Sequence, residues 1–119
     1  MEFKKKNTFS KRSNESARIK KKYPDRTPII VTVGKDLPPL DKSKYLVPQD
    51  LTVGEFQYVI RKRIQLTPEK AIFFFINNSL VPISRTVREI YNDYADEDGF
   101  LYILIMTEST FGTLEHTPL

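Results

Sequence analysis

Few residues in this chain can do chemistry, and they are poorly placed for catalysis. There is no cysteine, so thiolate metal sites, cysteine nucleophiles and disulfides are excluded. The only histidine, His116, stands close to the C-terminus, and neither a glycine-rich phosphate loop nor a metal-spaced cluster occurs. No catalytic residue, metal or cofactor is expected. Two features remain. One is Phe111-Gly112, where a glycine lets the backbone approach a nucleophile unobstructed and the phenylalanine offers a grip before that bond. From two residues alone, a chance dipeptide is the better reading. The other is charge. Residues 1–26 hold ten Lys or Arg against Glu2, Glu15 and Asp25, a balance of +7 in a chain of net charge +4, and no Lys or Arg follows Arg88. Such a basic arm suits nucleic acid, an anionic membrane, an acidic tubulin tail or an acidic peptide, and the bland alternative is a solvated basic helix. Only Phe3, Phe9 and Tyr23 interleave those basic residues, which argues against nucleic acid.

The elements that must position these groups fit one domain of 119 residues and 13.9 kDa. With 39% hydrophobic and 29% charged residues, the composition is that of a rather polar globular protein. The longest apolar runs, residues 71–76 and 100–106, fall far short of the ~20 residues a membrane-spanning helix needs. Without disulfides or a secretory h-region, a soluble cytoplasmic location without targeting peptide is expected.

Residues 10–22 contain no helix breaker and Pro24 stops them, predicting a weakly amphipathic helix with Ile19 as its only large apolar residue, preceded by a turn holding Phe3 and Phe9. Residues 28–33 are β-branched after a proline, and residues 44–47 form a second strand closed by Pro48, giving a hairpin. Thr52 and Glu55 have capping-box spacing, followed by Val53, Phe56, Val59, Ile60 and Ile64 at helical period. Residues 71–76 read as a strand covered on both faces, Asn77-Asn78 as a tight turn, and Leu80-Val81 as its return. Thr86 and Glu89 repeat the capping box before a short helix, and residues 100–106 form the last strand. Beyond it residues 107–119 lack periodicity and are expected to form a mobile tail.

A helix followed by β-β-α-β-β-α-β predicts an α+β, ubiquitin-like β-grasp with an N-terminal helical extension. The expected division is a basic helical part at 1–26, a core at 27–106 and a tail at 107–119. Ile30, Val53, Ile60, Ile72, Phe74, Ile90, Leu101 and Ile103 are expected in the core.

Several stretches in order resemble the ubiquitin-like autophagy modifiers, the family that includes the GABA-type-A-receptor-associated protein. They are Phe3-Lys4 with Phe9 and Arg12, residues 22–28 (KYPDRTP), 41–48 (DKSKYLVP), 50–64 (DLTVGEFQYVIRKRI), 71–78 and 98–102 (DGFLY), and Phe111-Gly112. Lys4-Lys5-Lys6 is more basic than that pattern usually is, and the 34–40 connection is shorter. The resemblance implies a non-enzymatic modifier, cut after Gly112 by a cysteine protease. Activating and conjugating enzymes would then join Gly112 to phosphatidylethanolamine, moving the protein from cytoplasm to the autophagosome membrane. It also implies that the strand at residues 44–47 accepts aromatic-x-x-aliphatic peptides of autophagy receptors and adaptors. Glu15, Ile19, Pro28, Ile30, Lys44, Leu46 and Phe100 would line an aromatic pocket. Tyr45, Val47, Pro48, Leu51, Phe56, Val59 and Ile60 would line an aliphatic one. Arg26, Lys42, Lys44 and Arg63 would meet acidic residues flanking the motif. Tubulin is a further partner of the basic arm, and the alternative is an unconjugated adaptor of the same fold.

Overall fold

The computed structural model describes residues 2–107, so Phe111, Gly112 and His116 lie outside the described residues. Helices α1 (Glu2–Lys6) and α2 (Phe9–Lys22) precede strands β1 (Arg26–Val33) and β2 (Lys44–Pro48). Helix α3 (Val53–Ile64), β3 (Ile72–Ile76), β4 (Ser79–Leu80), α4 (Val87–Tyr94) and β5 (Leu101–Thr107) follow. The sheet order is β2-β1-β5-β3-β4, with β1 and β5 parallel and the other pairs antiparallel. This is the β-grasp the pattern predicts, and no described helix is long and apolar enough to cross a membrane.

Both capping boxes form: Thr52 accepts from the Glu55 amide at 3.1 Å and Thr86 from the Glu89 amide at 3.2 Å, each glutamate returning to its partner's amide. Helix α3 ends at Ile64, earlier than the Thr67-Pro68 stop, because Gln65 takes the left-handed conformation (φ 57°). Its buried face is Val53, Phe56, Ile60 and Ile64; Val59, expected on that face, is 44% exposed.

The core lies between the sheet and helices α3 and α4, where Ile29, Val31, Phe74, Ile90, Leu101, Ile103 and Ile105 pack with that helical face. Ile30 is buried but outside this cluster, since alternation along β1 turns it to the sheet's other face, covered by α1 and α2. The last strand starts at Leu101, one residue late, and β4 one residue early, at Ser79. Strand β1 begins at Arg26, so Pro28 sits inside it. Val31 donates to Ser43 at 2.8 Å, and ladder alternation then leaves Pro28 without a bond to β2. Its missing N–H therefore faces β5, which begins pairing only at Ile29.

The expected turn around Phe3 is instead helix α1, fixed by packing rather than propensity. Phe3 meets Phe100 edge-to-face at 5.2 Å between centroids, and Lys4 pairs with Asp96 at 2.8 Å. Helix α2, capped by Thr8, buries only Ser16 and is tied down chiefly by a polar junction at Asp98. Arg12 Nε reaches the fully buried Asp98 carboxylate at 2.8 Å, and its guanidinium also donates to the Asn7 carbonyl at 2.7 Å. Tyr102 Oη donates to the same carboxylate, the Phe100 amide donates to it at 2.9 Å, and Ser16 donates to the Asp98 carbonyl. Gly99 has φ +89°, and a Cβ there would come within 2.3 Å of Ser16 Oγ, so only glycine lets α2 approach.

Removing one partner of such a pair leaves buried charge uncompensated, so Asp98→Ala should lose about 3–5 kcal/mol in urea unfolding. Phe74→Ala, emptying a 1%-exposed core position, should lose a similar ~3–5 kcal/mol, whereas exposed Lys5→Ala should leave the midpoint unchanged.

Candidate functional site

Strand β2 is a sheet edge. Since Val31 and Ser43 form a hydrogen-bonded pair, alternation puts Lys44 and Leu46 opposite Ile30 and Pro28 at non-bonded positions. Their amides and carbonyls therefore point away from the sheet, where an added strand can pair with them. Pro48 continues the alternation without an N–H and ends the usable ladder. The Leu46 carbonyl is already met by Arg26 Nη1 at 3.3 Å.

Parity along β2 divides its side chains. Lys44 and Leu46 share the α1/α2 face with Pro28 and Ile30, while Tyr45 and Val47 share the α3 face. The expected aromatic set is thereby assembled: Pro28, Ile30 and Phe100 are a buried floor, with Glu15 and Ile19 of α2 and Lys44 and Leu46 half-buried around it. Lys44 Nζ forms an ion pair with Glu15 and lies 5.8 Å from the Phe3 ring.

The aliphatic set does not form one open pocket. Tyr45, Val47, Phe56 and Ile60 are buried in the core, packed by ring contacts of Tyr45 with Phe56 (6.0 Å) and Phe56 with Phe74 (5.6 Å). Pro48 is exposed, and only Leu51 and Val59 line an open apolar depression, together with Tyr58, Gly54 and Ile83. Tyr58 and Ile83 are 59% and 63% exposed, and sequence reasoning missed them because both fall off the helical stripe or in a loop. Phe3 was missed as well. It lines a second depression with Ile30, Leu40 and Lys42, beside the aromatic set.

The basic rim divides too. Lys42 Nζ stands 4.8 Å from the Tyr45 ring, and Arg63 donates to Asp41 at 2.8 Å with its guanidinium 5.7 Å from the same ring. The hydrogen bond from Arg63 holds the Asp41 carboxyl below its ordinary value and raises that of Arg63; burial pushes the Tyr45 phenol up. In the N-terminal arm, Lys4 and Arg12 are engaged by Asp96 and Asp98, and Lys6 lies 3.6 Å from Glu2. The charge facing outward is therefore carried mostly by exposed Lys5, Lys11, Arg18 and Lys20 to Lys22. Among the described residues, this edge combines unpaired backbone groups with apolar and basic side chains.

The family model described as "Autophagy protein Atg8 ubiquitin like" matches residues 11–112. The chain belongs to the Atg8 family. Autophagy-related protein 8e of Arabidopsis thaliana is 55% identical over 112 residues, covering 92% of each chain. Autophagy-related protein 8 of Schizosaccharomyces pombe is 57% identical over 109 residues, covering 90% of each. Among solved structures, Trypanosoma brucei ATG8 superposes with a TM-score of 0.87 at 43% identity, over 91% of this chain and 95% of that one. Plasmodium falciparum Atg8, solved in complex with a Plasmodium falciparum Atg3 peptide, gives 0.79 at 32% identity, over 87% and 93%. This Atg8-family chain is thus a ubiquitin-like autophagy modifier and not an enzyme.

Because the Asp41 carboxyl is held down in the folded state, its pairing with Arg63 is complete above the ordinary value of 3.8 and is lost as pH falls through the lowered one. A carbon-detected NMR titration should find the Asp41 midpoint below 3.8, and Arg63→Gln should move it upward.

Proposed function

We propose that this protein is cut after Gly112 and joined through that glycine to phosphatidylethanolamine, and that its β2 edge then gathers aromatic-x-x-aliphatic peptides of receptors and adaptors on the autophagosome membrane. One observation carries the first half: the family match runs to residue 112 and stops on the glycine, leaving residues 113–119 outside it. Phe111 would grip the protease before the scissile bond. A carboxylate is inert toward amines, so adenylation and thioester transfer must occur on partner enzymes, because this chain has no cysteine. The two acyl chains of the lipid would give stable anchoring where one chain binds only marginally.

The free edge of β2 supports the second half. Residues three apart on an extended peptide point to opposite faces, so one side chain would meet the aromatic set around Lys44 and Leu46 and the other would turn toward the α3 side, where Leu51 and Val59 line an open depression. Lys42, Lys44, Arg26 and Arg63 favour acidic flanks, mainly through association rate. The Plasmodium relative bound to an Atg3 peptide supports a conjugating-enzyme segment as a further partner of this chain. The exposed lysines of α1 and α2 would add weak, salt-dependent contact with anionic lipid or tubulin, at about 1 kcal/mol per residue near a membrane. Nucleic acid is not a partner in this reading, and the unconjugated protein is cytoplasmic.

Intact-mass measurement of protein from starved cells should find residues 113–119 lost and a phosphatidylethanolamine adduct, with Gly112→Ala giving neither. A parent protein that keeps Leu119 and carries no lipid would overturn the conjugation. For the edge, Leu46→Ala should weaken a receptor-type peptide about tenfold in calorimetry while leaving the unfolding midpoint within ~1 kcal/mol of the parent, since Leu46 is only half-buried.

A further inference from the structure

The tail beyond β5 reads Glu108-Ser109-Thr110-Phe111-Gly112-Thr113-Leu114-Glu115. Phe111 and Leu114 are an aromatic and an aliphatic residue three apart, the pattern proposed above for ligands of the β2 edge, with acidic residues on both flanks. We infer that the uncut precursor carries its own ligand: residues 108–115 of one copy dock on the β2 edge of a second copy, and cleavage after Gly112 abolishes the contact. This rests on the peptide-edge reading of the previous subsection.

Three observations support it. The side-chain geometry matches, because an odd separation sends Phe111 and Leu114 to opposite sides of an extended segment, one toward the aromatic set beside Lys44 and Leu46 and the other toward the α3 side that carries the Leu51 and Val59 depression. The direction follows, since the aromatic set begins at Lys44 and the aliphatic depression lies beyond Pro48 at Leu51, so the segment runs parallel to β2. The charges are complementary: Glu108 and Glu115 would meet a rim of Lys42, Lys44, Arg26 and Arg63.

Chain length decides between the same molecule and a second one. Lys44 pairs with Ile30, and Ile30 with Tyr102, so the start of β2 is level with a point five residues before Thr107. That is about 17 Å along the strand direction at ~3.3 Å per residue. A strand added outside β2 lies three strand spacings from β5, about 14 Å across. The direct path from Thr107 is therefore about 22 Å, whereas four residue steps to Phe111 span at most ~14 Å. The tail cannot reach its own edge, but a second copy faces no such limit.

Cleavage ends the contact by simple chemistry. Hydrolysis of the Gly112–Thr113 bond consumes one water, leaves the carboxylate on Gly112 and an amine on Thr113, and puts Phe111 and Leu114 on different products. The edge would be occupied by other precursors before processing and open to receptor peptides after it.

The test uses isotope-labelled protein ending at Gly112, titrated with a synthetic peptide of residues 106–119, beside an unrelated acidic aromatic-x-x-aliphatic peptide. The tail peptide should shift amide resonances of Lys44 to Val47, and Phe111→Ala or Leu114→Ala in the peptide should each weaken it at least ~10-fold. Lys44→Glu in the protein should weaken both peptides, with its unfolding midpoint as a control for folding. Shifts from the unrelated peptide but none from the tail would overturn this inference and leave the edge reading standing; no shifts from either would overturn both. Full-length protein should show concentration-dependent edge shifts that vanish in Leu114→Ala. Edge shifts that persist unchanged on dilution would place the tail on its own molecule and overturn the assignment to a second copy.

Discussion

The buried Asp98 carboxylate is the constraint on which the binding face depends. It sits in the turn that starts β5, the sheet's central strand, and gathers Arg12 from α2, Tyr102 from β5 and the Phe100 amide. A carboxylate stripped of water at this depth is tolerable only with its oxygens met by charge-assisted donors. Burial first, and then the bond to Asp98, drive the Tyr102 phenol far above its ordinary pKa, so it stays a donor throughout the physiological range. Arg12 is anchored in turn by the Asn7 carbonyl, which ties the α1–α2 connection to the same point. Helix α2 has almost no apolar face of its own, so this polar junction and the close approach allowed by Gly99 seat it on the sheet. Once seated, α2 brings Glu15 and Ile19 to the Lys44–Leu46 side of β2.

A second consequence follows from sheet order. In a β-grasp the last strand inserts beside the first, here β5 against β1, so the first hairpin's second strand is pushed to the rim. That leaves β2 with one row of backbone groups unpaired, ordinarily an aggregation liability. The edge is short, ends at Pro48 and is crowded by Lys42, Lys44, Arg26 and Arg63, all devices that limit indiscriminate pairing. For the peptides proposed to pair here, selectivity would reside in side chains on the two faces of the edge.

Local signals carried much of the fold. Two Thr-x-x-Glu boxes, the proline after α2 and the apolar period of α3 act within a few residues of one another, so the sequence by itself determined those elements. The family match bears out the modifier that the resemblance implied, and of the residues it named around β2 the fold brings the aromatic set together while burying most of the aliphatic set in the core. Tertiary structure decided the rest. Phe3 lies in a helix because Phe100 is there to pack against, and nothing local requires it. Val59 and Ile60 are adjacent apolar residues, yet one is 44% exposed and the other fully buried, because only the direction of the sheet chooses which side of α3 is core. Ile30 and Ile29 divide between opposite faces for the same reason. Nothing in composition or charge marks Asp98 for burial over its acidic neighbours Asp96 and Glu97, and it becomes the junction only because Arg12, 86 residues away along the chain, is folded against it. Periodicity and caps are short-range and legible; which face is covered, and which charge is buried, are set by partners distant in sequence.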